Sequence, residues 1–258
     1  MDPFYQPIRF DVVADLYDIY VQVDFDLAFF LQETQSVRGN VLELGSGTGR
    51  LSIPLLRAGV SLTCVDYSPK MLDVLEQKLR QHNLSARVHK MDMAELSLTD
   101  RYQLIFIPFH SFAEVLERPR QQSTIERIYN HLTEGGEFIC TLHNPIIRQK
   151  SLDGALKLLR EYPLASGGSL IVRYQMQYDA ASRIAHGHQF YERYDAKKNL
   201  VDARTLDVNF YLFSKQDFEE MVYSTGFKLA ALYGNYDHSG FDETTSPFMI
   251  WKLKRSSS

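Results

Sequence analysis

A hydrophobic run, Val41-Leu42-Glu43-Leu44, passes directly into Gly45-Ser46-Gly47-Thr48-Gly49-Arg50 and then into a helical pattern. No other stretch constrains the fold so strongly. Glycines at alternate positions permit positive φ and let a ligand approach bare backbone, while the helix start that follows presents unbonded N–H groups. A strand turning this tightly into a helix belongs to a βαβ unit, and hence to a parallel sheet with helices on its faces.

The surrounding pattern agrees. Asn40 to Leu44, Ser61 to Val65, Ala86 to Met91, Gln103 to Pro108 and Gly136 to Leu142 read as five short strands rich in Val, Ile, Leu and Phe. Ser68-Pro69 supplies an N-cap and a proline at the first helical position, and Leu72, Leu75 and Leu79 then fall on one face. Ile125, Ile128 and Leu132 repeat that spacing before Gly135-Gly136, where a helix is expected to stop.

After residue 145 the period changes. Leu170, Val172, Tyr174, Met176 and Tyr178 alternate with Ile171, Arg173, Gln175 and Gln177, and further strand-like runs occupy His188 to Tyr194 and Leu206 to Phe213. Three strands with no intervening helix predict a small antiparallel sheet. Ser214 to Asp217 resembles a capping box ahead of Phe218, Met221 and Val222, with Gly226 as terminator. Strands over Phe227 to Tyr233 and Phe248 to Leu253 complete the pattern, and the Lys-Arg-Ser tail is expected to fray.

Composition removes several function classes. A formal net charge of −4 lacks the basic excess that neutralises phosphates, so a nucleic-acid partner is not expected. No apolar run approaches the ~18 residues of a membrane span, and no basic segment leads into an apolar stretch at the N-terminus. Cys64 and Cys140 both lie in apolar strands, as buried free thiols do in a reducing compartment. A cytoplasmic protein is expected, with no membrane partner.

Asp66 ends the second strand, 17 positions after Gly49, where a carboxylate can accept hydrogen bonds from both hydroxyls of a ribose. That spacing suits adenosylmethionine and NAD alike. The glycines run G-x-G-x-G, however, and Arg50 stands where the dinucleotide fingerprint needs Gly or Ala, which disfavours an NAD-dependent oxidoreductase. Glu43 is placed to bind a ligand ammonium group directly or through water.

At these residues the chain resembles the class I S-adenosylmethionine-dependent methyltransferases. Val65-Asp66-Tyr67-Ser68-Pro69-Lys70-Met71-Leu72 is similar to the family's second motif, Met91-Asp92-Met93 to its third-strand motif, Phe106 to Ser111 to its fourth-strand end and His131 to Gly136 to the turn before its fifth strand. The resemblance spans roughly residues 38–144. It implies a Rossmann-like α/β fold of seven strands in the order 3-2-1-4-5-7-6, with S-adenosyl-L-methionine as cofactor. It further implies cofactor contacts from Glu43, Gly45, Ser46, Gly47, Gly49, Arg50, Asp66, Tyr67, Met71, Asp92, Met93 and Pro108. Asp66 would hold the ribose, Tyr67 or Met71 would pack on adenine, and Asp92 would receive the adenine amino group.

The antiparallel insertion is similar to that of small-molecule methyltransferases acting on amino acids and amino sugars, where it covers the active site. The expected organisation is an N-terminal helical cap (1–37), the cofactor-binding core (38–144), the insertion as substrate lid (145–213) and a C-terminal completion of the core (214–258). Phe10 to Asp18 resembles the segment that closes over the donor, which puts Tyr17 against the cofactor's methionyl part. The expected acceptor is a small molecule with an amine or a hydroxyl. His110 and His143 are catalytic candidates, with Glu114 and Tyr236 near them, because strand ends deliver them to the acceptor side and histidine titrates near neutral pH, and the resemblance adds Tyr17. Arg173, Gln175, Arg193, Asn209 and Tyr211 are candidate selectors of substrate. His186 and His188 have no accompanying ligand set, so no metal is expected. The insertion's outer face is a candidate homodimer surface, and a non-catalytic cofactor-binding protein on the same fold is the remaining alternative.

Overall fold

A computed structural model describes residues 7–256. Its centre is a seven-stranded sheet of β1 (Val41–Leu44), β2 (Leu62–Asp66), β3 (Arg87–Lys90), β4 (Tyr102–Ile107), β5 (Leu132–His143), β10 (Phe227–Tyr233) and β11 (Phe248–Arg255), ordered β3-β2-β1-β4-β5-β11-β10. The first five strands run parallel, and β11 is antiparallel to β5 and to β10. This is the expected order 3-2-1-4-5-7-6.

Both faces of the sheet are apolar because both are covered. Leu42, Leu44, Ile105, Ile107, Phe138 and Cys140 pack on one side with α5 (Arg118–His131) and α7 (Lys215–Thr225). Val41, Leu104, Phe106, Ile139 and Cys64 pack on the other with α2 (Leu27–Gln35), α3 (Ser52–Arg57) and α4 (Pro69–Gln81). Both thiols are free and buried, on opposite faces.

The helix signals read from the sequence act as capping chemistry. The Ser68 hydroxyl accepts from Met71 N–H to start α4, and that of Ser214 accepts from Asp217 N–H to start α7, which Gly226 ends at φ +106°. Two boundaries differ from expectation. β5 already begins at Leu132, so α5 stops before the Gly135-Gly136 pair. β11 continues through Lys254 and Arg255, whose guanidinium donates to the Tyr129 and Leu132 carbonyls, so these two are not frayed.

After β5 the short helix α6 (Pro145–Arg148) leads into a separate antiparallel sheet of four strands rather than three: β6 (Asp153–Pro163), β7 (Ser169–Asp179), β8 (Ile184–Tyr194) and β9 (Leu200–Tyr211). β6 escaped the periodicity because it is an edge strand exposed on most positions, Leu156, Leu158 and Leu159 among them. The covered face of this sheet, with Leu170, Val172, Tyr191 and Leu206, packs on Ile8, Val13, Leu16 and Tyr20 at and around α1 (Ala14–Tyr20). The N-terminal segment is therefore held between the two sheets.

Candidate active site

The parallel strands end on one side, and the loops there enclose a cavity of about 560 Å³. Gly45, Gly47, Asp66, Tyr67, Met71, Asp92 and Met93 line one end of it; Tyr17, His110, Glu114, His143 and Arg148 also line it. Gln189, Val208 and Phe210 of the four-stranded sheet close it. Pockets of roughly 300–1,000 Å³ suit small ligands.

The glycine turn and Asp66 form one hydrogen-bonded unit. The Asp66 carboxylate accepts from Gly47 N–H and from Ser68 N–H, both at 2.8 Å. Burial pushes its pKa up from the usual carboxylate value while these backbone donors oppose the rise. Gly47 sits at φ +52°, and a Cβ there would meet only the tip of Met71, at 3.5 Å, so the space in front of this peptide is open. Gly49 differs: a Cβ would fall 2.4 Å from Leu75 Cδ1, so this glycine lets α4 pack against the turn and does not line the cavity.

Other expected cofactor residues also lie behind the cavity wall. Arg50 is engaged by both carboxylate oxygens of the buried Asp26, at 2.5 and 2.6 Å, with its guanidinium over the Phe109 ring. Glu43 accepts from the Ser52 hydroxyl at 2.5 Å, and burial raises its carboxyl to about 8. Ser46 and Pro108 are buried, and neither lines the cavity. The Asp92 carboxylate accepts from Ala94 N–H at 2.8 Å and pairs with Arg120 at 2.6 Å, a partner that no motif marked.

The N-terminal segment is tied over this end at several points. Tyr67 donates to the Ile8 carbonyl, and Asp11 accepts from the Ser68 hydroxyl at 2.6 Å and from Lys70 N–H at 3.1 Å. Asp18 accepts from Thr48 at 2.7 Å and pairs with Lys78. Tyr17 is thereby held at the wall, edge-on to Tyr20, and burial pushes its phenol well above the usual value.

β4 and β5 bring the two histidines together. Ile107 pairs with Cys140, and three residues further along each strand direction stand His110 and His143, with ring centroids 3.6 Å apart and planes 23° from parallel. Phe109 and His110 are both left-handed, at φ +53° and +67°, a conformation costly for non-glycine residues and concentrated at functional sites. His110 Nδ1 is buried with no hydrogen-bond partner among the described residues. Burial, reinforced by the charge of Arg148, holds His110 at about 3; burial and then the neighbouring imidazole hold His143 far below its usual value. Both rings are neutral at pH 7. Glu114 is raised to about 8, by burial and then by Asp66.

Tyr236 is buried among Phe25, Phe29 and Phe248 and does not line the cavity. The polar residues expected to select a substrate are elsewhere: Arg173 pairs with Glu192, Arg193 with Asp202 at 3.9 Å, and Gln175 donates to the Gly154 carbonyl at 2.9 Å. Asn209 and Tyr211 are also absent from the wall. Alternation along a strand does not say which sheet face meets the core; along β7 the covered positions are Leu170, Val172 and Met176. His188 pairs with Asp207 at 2.8 Å, and among the described residues no three His, Cys, Asp or Glu side chains are grouped to hold a metal ion.

Comparison with known proteins accords with this geometry. Residues 41–136 match a family model described as a methyltransferase domain. A methyltransferase of Geobacillus sp. is 29% identical over 104 residues, which cover 40% of this chain and 42% of the relative. The chain spans about half the length of the curated relatives it matches. The solved S-adenosylmethionine-dependent methyltransferase from Clostridium acetobutylicum ATCC 824 superposes with a TM-score of 0.81 at 18% identity, covering 96% of this chain and 99% of that one. The sugar N-methyltransferase KedS8 from Streptoalloteichus sp. ATCC 53650 gives 0.73 at 17% identity, with 94% and 92% covered. The fold, antiparallel insertion included, is that of class I S-adenosylmethionine-dependent methyltransferases.

Proposed function

We propose that this chain transfers the methyl group of S-adenosyl-L-methionine to an amine of a small molecule, with the four-stranded sheet as the lid over the acceptor. The observation that carries this reading is one cavity with two chemistries: the open glycine turn and two aspartates, with the Glu114 carboxyl acting on Asp66, in one part, and a stacked pair of neutral imidazoles in another. Asp66 would hold the ribose hydroxyls, Gly45 and Gly47 would let the cofactor approach bare peptide, and Met71, Met93 and Asp92 would bound the adenine. When bound, the cofactor supplies an electrophilic methyl carbon on a sulfonium.

What remains for the protein is positioning and proton management. An amine with a Lys-like pKa needs about 4 kcal/mol to be neutral at pH 7. The neutral rings of His110 and His143 each keep one unprotonated nitrogen at that pH, and this pair would accept an N–H from the acceptor. The pair and Glu114 are too weakly basic to ionise an alcohol, which favours nitrogen over oxygen, in line with the sugar N-methyltransferase among the structural neighbours. Tyr17 and the tied N-terminal segment exclude water from the donor. The two buried free thiols support a reducing, cytoplasmic setting, and no helix among the described residues is long and apolar enough to cross a membrane.

Transfer of label from methyl-labelled adenosylmethionine to paired amine and hydroxyl acceptors, with the product located by NMR, tests the reading. Asp66→Ala should weaken cofactor binding by roughly 2–4 kcal/mol, the range for paired hydrogen bonds to a charged group. Binding of NADH in place of adenosylmethionine, or methylation of hydroxyls alone, would overturn it.

A further inference from the structure

Among the described residues, one cationic side chain that lines the cavity meets no carboxylate. Arg120 at the aspartate end is paired with Asp92, and Arg50 behind the wall is paired with Asp26. Arg148, at the end of α6 where the chain leaves β5 for the lid, lines the same cavity and makes no ion pair among the described residues. Its Nη1 donates to the Ser151 hydroxyl at 3.0 Å, and its guanidinium lies over the Phe210 ring at 5.4 Å from the centroid. Nε is buried with no hydrogen-bond partner, and Nη2 has no bond to a described residue either. Nη2 is thus the donor left for a ligand, and a charge-assisted hydrogen bond to a carboxylate or phosphate would complete it.

A guanidinium taken out of water without a counter-charge is strongly unfavourable, and proteins retain one where a ligand completes it. Burial does act against this charge: it lowers the Arg148 pKa, with no carboxylate nearby to raise it. The position selects the ligand. Arg148 is close enough to His110 and His143 for its charge to act on both, and Phe210 and His143 are within 6.3 Å of each other, so an anion here is a short molecule's length from the proposed methyl-accepting atom.

We propose that Arg148 binds an anionic group of the acceptor, a carboxylate or a phosphate carried on the same small molecule as the amine. The inference rests on the reading of this cavity as a methyl-transfer site and names the class of molecule it accepts. The anion accepts from Nη2, fixes the acceptor at one point and leaves its amine at the histidine pair. The lid contributes the Phe210 ring over which the guanidinium lies.

The test is calorimetric titration of the full chain saturated with S-adenosylhomocysteine. The probes are amino acids set against their amides, and amino-sugar phosphates against the free amino sugars, so that the two arms separate carboxylate from phosphate. An anionic probe should bind at least tenfold tighter than its neutral partner. Arg148→Gln should erase that preference, Arg148→Lys should keep part of it, and both should leave cofactor affinity unchanged, which also shows that they fold. Equal or tighter binding of the neutral partners, no binding by any anionic probe, or a preference that survives Arg148→Gln overturns the assignment. Failure of the wild-type chain to bind adenosylmethionine or S-adenosylhomocysteine would instead sink the methyl-transfer reading itself.

Discussion

The three glycines of the Gly45–Gly49 turn look alike in the sequence and act differently in the structure. Gly47→Val puts a branched side chain into the open space before the turn, and should cost cofactor binding while much of the stability remains. Gly49→Ala drives a methyl into Leu75, and should lower the melting temperature by several degrees with the cofactor site spared. Thermal melts and calorimetry on both variants separate the roles; a Gly49→Ala protein of wild-type stability would show that the helix contact is slack. Glu114 carries a second expectation. With its pKa raised to about 8 it is about one-tenth ionised at pH 7, and the carboxylate that forms above pH 8 attracts the sulfonium but not the neutral thioether of the product. The preference for adenosylmethionine over S-adenosylhomocysteine should therefore rise up to about tenfold from pH 7 to pH 9. Glu114→Gln should flatten that rise, whereas Glu43→Gln, altering a carboxyl bonded to Ser52 behind the wall, should not. A slope unchanged in Glu114→Gln would remove Glu114 from the donor's surroundings.

At the scale of elements, caps and periodic faces were legible because they are local. Ser68-Pro69, Ser214 to Asp217 and Gly226 mark helix ends through hydrogen bonds within a few residues, and the structure uses them so. β6 was illegible because the edge strand of the four-stranded sheet buries little, leaving no alternation to read. The lid and the N-terminal segment turn out to be one packing unit through Tyr20, Tyr191, Leu170 and Leu206. Replacing residues 168–209 by a short Gly/Ser linker should therefore abolish acceptor methylation, and should also loosen the segment over the donor, leaving adenosylmethionine binding weaker but measurable by calorimetry. A truncated protein that methylated its acceptor at the normal rate would refute the lid.

For the whole molecule, the exposed Leu156 and Leu158 on β6 supply what a self-association surface needs, an open strand edge with apolar side chains. A homodimer through this edge predicts that the chain sediments as a dimer and that Leu158→Lys gives monomers with unaltered cofactor affinity; a wild-type chain that is monomeric at all concentrations would refute it. The sequence by itself determined the glycine turn and the acidic residue that ends β2, because these depend on turn chemistry and spacing along a few dozen residues, and the sheet order followed from the family resemblance that those motifs carry. Only the tertiary structure decided that His110 and His143 stack, since their meeting follows from the parallel register of β4 on β5. The same holds for Arg50 and Arg148, two arginines indistinguishable as letters. One meets a buried aspartate from α2's N-cap and is spent, and the other meets an aromatic face and no acid. Which charge a side chain finds is settled by elements far apart in the chain, and short-range pattern carries no record of it.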